Sequence, residues 1–341
     1  MTEHQSRYDT TAVLVTGGAG AIGSNLVRAL CRLNAEVVVL DDLSSGFEWL
    51  LPQAPNLTMV RGSVVDPAAL KAAFAHSPRV VFHLAAFFAN QNSVEHPERD
   101  LEVNGMGTLR VLEQSRKSAV ERFVFAASGC SLVGPRTPLP ASEDSVSLDL
   151  TTPYQITKLV GEMYTSYFHQ HWGLETVCLR LFNSYGPGEV PGLYRNVIPN
   201  MIYWALQGRP LPLTGATNAS RDFTFVDDIV AAMLRAGHSD RAVGQQINIA
   251  SGRETRISDL AEKINRLTEN SAGCRKAPAR SWDKKQRILA SVEKAKECLE
   301  FEASVFLEEG LSQTVEWFQQ NWEMVEAEAR FDGVGRELGR G

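Results

Sequence analysis

The chain has 341 residues, of which 44% are hydrophobic, so it is long enough to bury a large core in one domain or in two unequal lobes. Its formal net charge of −6 excludes the strongly basic balance typical of nucleic-acid-binding proteins, and we expect no nucleic-acid partner. The five cysteines are dispersed without a CxxC pair, which indicates reduced thiols and a cytoplasmic protein.

The chain begins with MTEHQSRYDT, which contains no apolar segment of the kind found in a secretory signal. No run of about 18 apolar residues predicts a membrane span, so we expect no membrane partner. His169 and His171 lie two residues apart near a predicted helix end, where surface residues explain them better than metal ligands. We expect no metal site.

Residues 12–16 (AVLVT) predict a short apolar strand, which a glycine-rich turn and an apolar helix from Ile22 to Leu33 follow. A second strand, EVVVLDD, ends in acidic residues. Further strands are predicted for LTMVRGSV, VVFHLAA, RFVFAAS and ETVCLRLF, with helical patterns between most of them. Apolar strands that alternate with helices are typical of a parallel sheet covered on both faces. The predicted fold class is therefore α/β, a Rossmann-type doubly wound parallel sheet.

After about residue 186 the pattern changes to loops rich in glycine and proline, such as YGPGEVPG and GRPLPLTG, with shorter helices. This change predicts a smaller C-terminal substrate-binding lobe. We expect a cofactor-binding domain over 11–186 with a return to the sheet near 221–250, a lobe over 187–320, and a terminal tail over 321–341.

The turn TGGAGAIG places Gly17, Gly20 and Gly23 between the first strand and the first helix. Glycines at these positions let the backbone approach a pyrophosphate, whose charge then meets the N-terminus of the helix. Asp41, at the end of the second strand, is placed to accept hydrogen bonds from a ribose and to repel a 2′-phosphate, and residues 42–46 contain no arginine. The pattern predicts an NAD site rather than an NADP site, whereas a glycine trio alone would also fit a purely structural turn.

Tyr154 and Lys158 follow Pro153, a favourable first-turn residue, and their spacing puts both side chains on one face of a helix. A tyrosine has an ordinary pKa of about 10 and is a poor base, but a nearby ammonium and an oxidised nicotinamide favour the phenolate. The lysine is also placed to hold the nicotinamide ribose. We interpret the pair as catalytic. The alternative is an i,i+4 pair on the surface of a helix.

Several motifs along the chain together resemble one protein family. They are TGGAGAIG, HLAA (83–86), VNGMGT with Asn104, PYQITK, RLFNSYGPG, NVIP, RDFTFVDD and KAKECLEF. Over roughly residues 11–320 the chain resembles the extended short-chain dehydrogenase/reductases of the NAD-dependent nucleotide-sugar epimerase/dehydratase family, among them the UDP-glucose and UDP-glucuronate 4-epimerases. The resemblance implies tightly held NAD, a nucleoside-diphosphate sugar as substrate, and oxidation of the C4 hydroxyl of that sugar.

The resemblance also assigns residues to the two ligands. For NAD it implies contacts from the glycine turn, the ends of the following strands, an asparagine and the catalytic pair: Gly17, Gly20, Ala21, Ile22, Gly23, Asp41, Asp42, Ser63, Val64, Leu84, Ala85, Ala86, Asn104, Tyr154 and Lys158. Ser63 stands where the family usually has an aspartate. For the UDP-sugar it implies contacts from Cys130, Asn183, Arg195, Asn196, Arg221, Arg280 and Asp283. The two arginines Arg221 and Arg280 match residues that bind the diphosphate, because forked guanidinium groups suit phosphate oxygens.

The turn after the strand RFVFAAS departs from the family pattern. Gly129 stands where a catalytic hydroxyl is expected, so we assign that role to Ser128 or Ser131, with Ser131 slightly favoured. Dehydratases and decarboxylases of the family carry acidic residues where this chain has Cys130 and Ser131, and elimination needs such groups. We interpret Cys130 as a small pocket wall, because no sequence neighbour would lower its pKa. The turn favours a C4-epimerase that works through a transient 4-keto sugar, with Tyr154 as acid/base.

The substrate is expected to be UDP-glucuronate before UDP-glucose, since similar turns with serine at the Ser131 position occur in glucuronate epimerases. Arg195 is a candidate partner for the sugar carboxylate. Glu189 counts against this choice, because some glucuronate epimerases have arginine there. The rival hypotheses are a dehydratase or decarboxylase, and a catalytically weak nucleotide-sugar-binding protein, for which Gly129 is the only support.

The resemblance further implies a homodimer. Family members commonly pair through the helix that carries the tyrosine–lysine pair and through the helix after Asn104. Met163 and Tyr167 extend an apolar edge along the first of these helices and are the expected contacts.

Overall fold

A computed structural model describes residues 3–214, 219–278 and 285–331. Its largest element is a parallel sheet of seven strands in the order β11-β6-β5-β4-β1-β2-β3, which confirms the predicted α/β Rossmann-type class. The strands of the described residues are β1 (Ala12–Thr16), β2 (Glu36–Asp41), β3 (Leu57–Arg61), β4 (Val80–His83), β5 (Arg122–Ser128), β6 (Thr176–Leu181), β7 (Ser184–Tyr185), β8 (Leu211–Thr214), β9 (Ser220–Asp222), β10 (Thr224–Phe225), β11 (Gln246–Ile249), β12 (Glu254–Arg256) and β13 (Cys274–Ala277).

Helices connect these strands. They are α1 (Glu3–Tyr8), α2 (Ala21–Arg32), α3 (Pro67–Phe74), α4 (Asn90–Glu95), α5 (Pro97–Asp100), α6 (Thr108–Lys117), α7 (Gly129–Leu132), α8 (Pro153–Trp172), α9 (Val197–Leu206), α10 (Val226–Ala236), α11 (Ile257–Leu267), α12 (Glu293–Leu299), α13 (Leu307–Gln320) and α14 (Trp322–Glu328), with a π-helical segment at Leu101–Gly107. Among the residues that the structure describes, no helix has the length and apolarity needed to cross a membrane.

The sheet is covered on both faces. On one face, Leu26 of α2 and Met233 of α10 belong to a core that includes Val13 and Val15 of β1. On the other face, Leu112 of α6 and Phe168 of α8 pack with residues of β4 and β5. Because apolar side chains are buried on both faces, the strands read as nearly continuous apolar runs.

The strand order reverses next to β1, which pairs with β2 on one side and with β4 on the other. In an open parallel sheet the crevice at the carboxyl ends of such strands is the usual ligand-binding place. Here the glycine turn (17–23) follows β1, and the turn at 128–134, called the serine turn below, follows β5. Both predicted sites therefore open at the same edge of the sheet.

A smaller apolar core forms beyond the sheet from α9, α11 and α13, together with the short strand pairs β8–β13 and β7–β10. Helix α14 belongs to this core, although we expected residues 321–341 to form a tail. Val325 is buried, and the Trp322 ring stacks on Tyr203 with the ring centroids 5.4 Å apart. Trp322 and Val325 are three residues apart and share one helix face, which explains why this polar segment packs on the lobe.

Candidate active site

A pocket of about 460 Å³ lies at the carboxyl edge of the central sheet. It brings together most of the residues predicted for both ligands: Gly17, Gly20, Ala21, Ile22, Gly23, Asp41, Asp42, Ser63, Val64, Leu84, Ala85, Ala86, Ser128, Cys130, Ser131, Tyr154, Lys158, Asn183, Arg195, Asn196 and Arg221. Asn104 does not line it. Arg280 and Asp283 lie outside the described residues.

The glycine turn is shaped for close backbone approach. A Cβ added to Gly23 would overlap the carbonyl oxygen of Gly17 and lie 2.7 Å from the Cα of Gly18, so no other residue fits there. Helix α2 begins without a side-chain cap and without an acidic residue in its first turn. Its N-terminal amides and its dipole are therefore available for a negatively charged group, and the residues present fit a dinucleotide pyrophosphate.

Asp41 lies at the end of the pocket that the glycine turn lines, called the cofactor end below. Its carboxylate accepts hydrogen bonds from the backbone amides of Ala19 and Leu43, both at 2.9 Å, and burial raises its pKa above the ordinary value. Each carboxylate oxygen has a further lone pair that can accept from a ribose. Arg99, which the sequence reasoning did not single out, also lines the pocket, but Asp42 and Glu102 pair with it.

Asn104 lies behind the pocket wall and binds residues of the wall instead of lining the pocket. It is buried, its Oδ1 accepts from the backbone amide of Phe87 at 2.7 Å, and its Nδ2 donates to Asp100 at 2.8 Å. Asp100 also accepts from Thr157 at 2.6 Å, which ties the loop after β4 to α8. The structure thus gives Asn104 a role in holding the pocket wall, instead of the expected place on the cofactor surface.

The Tyr154–Lys158 pair lies on the first turns of α8. Thr152 caps this helix by accepting from the Gln155 amide, and Pro153 is its first residue. The Nζ atom of Lys158 donates to the carbonyl oxygen of Ala126 at 2.9 Å and lies 5.8 Å from the centre of the Tyr154 ring. Both side chains are buried, so they meet inside the pocket and not on the surface.

Burial governs the ionisation of this pair. Desolvation raises the pKa of Tyr154 above its ordinary value, and the charges of Asp100 and Cys130 act in the same direction. Desolvation also lowers the pKa of Lys158 to about 8. The chain alone therefore does not depress the tyrosine pKa, and the expected phenolate depends on the additional positive charge of an oxidised nicotinamide.

In the serine turn, a packing contact explains why Gly129 replaces a hydroxyl residue. A Cβ at this position would lie 2.5 and 2.6 Å from two atoms of the buried Phe182 ring. Ser131 donates a hydrogen bond to the Ser128 hydroxyl at 2.8 Å. Since the Ser128 oxygen is the acceptor, its own proton remains for another acceptor, and Ser128 becomes the better candidate for contact with substrate.

Cys130 lines the pocket as a neutral thiol. Desolvation raises its pKa to about 11, an effect only partly opposed by the backbone amide of Asn183 and by Lys285 and Arg221. Thiolate chemistry requires a lowered pKa, so this environment agrees with the interpretation of Cys130 as a wall.

The loop after β7 positions three further residues. Asn196 donates to the buried carboxylate of Glu189 at 2.9 Å, and desolvation raises the pKa of Glu189 to about 7. Arg195 donates to the backbone oxygen of Ser45 at 2.5 Å and to its hydroxyl at 3.1 Å. Ser45 follows Asp41 and Asp42 in the sequence, so Arg195 lies toward the cofactor end of the pocket. A partner of the sugar carboxylate would instead lie beside the serine turn.

Glu189 and Lys285 also line the pocket, and neither of them was assigned to it from the sequence. Glu189 follows the YGPG motif directly, which was the available signal for its place in the pocket. Lys285 donates to the backbone oxygens of Cys130 and Ser131, and no local pattern indicated this contact.

Comparisons with known proteins agree with this geometry. Residues 13–250 match the model of the NAD dependent epimerase/dehydratase family. A UDP-glucose 4-epimerase of Mycolicibacterium smegmatis is 34% identical over 309 residues, 90% of this chain and 98% of that protein. A UDP-N-acetyl-alpha-D-glucosaminuronate decarboxylase of Bacillus cytotoxicus is 32% identical over 319 residues, 90% of this chain and 97% of that protein.

A solved structure of an epimerase from Methanothermobacter thermautotrophicus is 49% identical and superposes with a TM-score of 0.95, over 96% of this chain and 98% of that one. The family match spans the glycine turn, Asp41, the serine turn and the Tyr154–Lys158 pair. This chain therefore belongs to the NAD dependent epimerase/dehydratase family, as its motifs predicted, and its cofactor is NAD.

Proposed function

We propose that the protein is a UDP-sugar C4-epimerase that oxidises the C4 hydroxyl of its substrate to a transient ketone and reduces that ketone from the opposite face. The observation that carries the proposal is one continuous pocket. The glycine turn and Asp41 line its cofactor end, and Tyr154, Lys158 and Ser128 line what we call its sugar end.

The residues of the sugar end divide the proton chemistry among them. NAD, which the glycine turn and Asp41 would hold, would supply reversible hydride transfer at C4. Tyr154 takes the proton of the C4 hydroxyl and gives it back. Burial by itself disfavours its phenolate, so the Lys158 ammonium would need the added positive charge of an oxidised nicotinamide to favour that form. Ser128, oriented by Ser131, donates a hydrogen bond to the C4 oxygen.

The serine turn supports epimerisation over elimination or decarboxylation. Residues 128–134, all of them described, read SGCSLVG and contain neither aspartate nor glutamate. Elimination needs a second acid or base near C5 and C6, whereas epimerisation needs one proton and one hydride. The decarboxylase among the relatives makes this the main competing reaction.

Among UDP-sugars we propose UDP-glucuronate first and UDP-glucose second. Serine at position 131 supports this order, but Arg195 does not, because it donates to Ser45 at the cofactor end. Arg221, which lines the pocket, remains the proposed partner of the diphosphate.

We also propose a homodimer. Ile156, Met163 and Tyr167 expose apolar side chains along α8, and Leu101 and Met106 do so on the adjoining π-helical segment. Such neighbouring exposed apolar residues support a protein interface. Sedimentation of the wild type and of Met163→Glu at micromolar concentration tests this proposal. We expect a dimer that the substitution weakens, and a monomeric wild type that Met163→Glu leaves unchanged would refute it.

The proposed activity is tested by incubating the purified protein with a panel of UDP-sugars, followed by proton NMR and mass spectrometry of the products. We expect a C4 epimer of unchanged mass, formed without added NAD because the cofactor is regenerated in each cycle. Loss of water or carbon dioxide would establish the competing reactions. Tight binding of UDP-sugars without any turnover would establish a binding protein.

A further inference from the structure

Lys285 reaches the sugar end of the pocket from a distant part of the chain. Its Nζ atom donates to the carbonyl oxygen of Cys130 at 2.5 Å and to that of Ser131 at 3.2 Å. Both carbonyls belong to α7, inside the serine turn, and Lys285 itself lines the pocket. A positive charge therefore lies directly against the turn that carries the proposed catalytic hydroxyls.

The residues after Lys285 hold it in place. The backbone amide of Ser220 donates to Gln286 at 2.8 Å, and the amide of Ile288 donates back to Ser220 at 3.2 Å. Arg287 binds both carboxylate oxygens of Glu254, each at 2.7 Å. This forked ion pair and the backbone bonds position Lys285 before any substrate arrives.

Among the described residues, three other cations that line the pocket bind groups outside the serine turn. Arg99 pairs with Asp42 and Glu102, and Arg195 donates to Ser45, so both lie toward the cofactor end. Lys158 donates to Ala126 and adjoins Tyr154.

Arg221 donates to the backbone oxygens of Ser220 and Gln286. Its contacts differ from those of Lys285, which bind the serine turn itself. Of the acidic lining residues, Asp41 and Asp42 are at the cofactor end, and Glu189 accepts a hydrogen bond from Asn196. Lys285 therefore gives the sugar end a positive charge beyond that of the catalytic lysine.

The chemistry of the sugar allows C6 to lie near this charge. Tyr154 and the serine turn act on C4, and C6 is two bonds from C4, whereas the diphosphate is attached to C1 on the opposite side of the ring. We infer that Lys285 is a specificity-determining residue that pairs with the C6 carboxylate of a UDP-uronic acid. The inference rests on the proposed function and names the substrate class of that same site.

Lys285→Met tests this with two substrates that differ only at C6. For UDP-glucuronate we expect kcat/KM to fall about ten- to a hundredfold, mainly through KM, because one charge-assisted contact is lost. For UDP-glucose we expect a loss at least about threefold smaller, since its C6 hydroxyl carries no charge and this substrate shares only the loss of the two hydrogen bonds to the serine turn. Lys285→Arg keeps the charge and should retain most of the preference for UDP-glucuronate.

Lys276→Met is the matched control. It removes one lysine from an exposed position on β13 that does not line the pocket, and it should leave both substrates unaffected. Equal losses for the two substrates in Lys285→Met would overturn the inference, because they would show that Lys285 only holds the turn. An unchanged kcat/KM for UDP-glucuronate would overturn it as well.

Calorimetric affinities in a Tyr154→Phe background separate this inference from the proposed reaction. If the wild-type protein epimerises neither sugar, the proposed function fails. A UDP-glucuronate affinity that depends on Lys285, beside a UDP-glucose affinity that does not, would still support the inference in that case. Affinities that Lys285→Met leaves unchanged would refute the inference alone.

Discussion

The glycine turn after β1 and the serine turn after β5 lie at the same edge of the sheet, and each contains a glycine at which an added side chain would clash. At Gly23 the space for a side chain is taken by the backbone of the turn itself. At Gly129 it is taken by the ring of Phe182, which comes from the end of β6. The first glycine follows from local chain geometry, and the second follows from a contact across the fold.

This difference has a consequence for function. A glycine required by its own turn leaves the cofactor pattern intact, so the glycine turn agrees with the family. A glycine required by a distant aromatic ring removes a hydroxyl from the serine turn, and the hydrogen-bonded pair Ser131 and Ser128 is left to supply it. The four predictions below test that contrast.

Tyr154→Phe should have the largest effect. Removing a positioned acid/base typically costs about 10²–10⁴ in rate, so kcat should fall in that range. NAD content, measured by absorbance after denaturation, should not change, because the glycine turn and Asp41 are untouched. Tyr203→Phe, in the smaller lobe, is the control and should be fully active. Loss of NAD in Tyr154→Phe would show that the two ends of the pocket are not separable.

Gly129→Ser restores the hydroxyl that the family pattern expects, and it should nevertheless destabilise the protein. The new side chain must displace the buried Phe182 ring, and overpacking of this kind typically costs about 1–3 kcal/mol in the free energy of unfolding. Urea denaturation measures this cost. The double variant Gly129→Ser with Phe182→Leu should recover part of it, because the two positions share one space. A Gly129→Ser protein with undiminished stability and higher turnover would contradict this account of the turn.

Ser128→Ala should lower kcat about tenfold or more, as expected for one lost hydrogen bond of about 1.4 kcal/mol in the transition state. Ser131→Ala should lose less, since Ser131 acts through Ser128. The sequence alone slightly favoured Ser131, and the direction of their hydrogen bond reverses that order. Ser142→Ala, at an exposed position beyond the turn, is the control. A larger loss in Ser131→Ala than in Ser128→Ala would restore the original order.

Cys130→Ala should have the smallest effect, a change in kcat/KM below about threefold, or roughly 0.6 kcal/mol. The thiol has a pKa raised to about 11 and stays protonated at neutral pH, so it behaves as a small apolar wall. Steady-state kinetics and product mass decide the matter together. An inactive Cys130→Ala protein beside active serine variants would indicate that the thiol reacts, and would favour elimination.

The predicted residues that the structure brings into one pocket lie within short chain segments. The glycine turn, Asp41 and the Tyr154–Lys158 pair each lie within one strand, turn or helix, and apolar periodicity predicts those elements. Once the strands are parallel, their carboxyl ends meet at one edge, so the segments converge on one pocket without further information.

The contacts between segments that are far apart in the sequence could be learned only from the folded structure. The Phe182 ring fills the space beside Gly129, and the backbone amide of Phe87 donates to Asn104. Arg195 donates to Ser45 at the cofactor end. Lys285 meets Cys130 across 155 residues of chain. Helix α14 packs on Tyr203 although its composition resembles a tail. In each case the local sequence permits several positions of a side chain, and the burial or hydrogen bond that selects one of them exists only after the chain has folded.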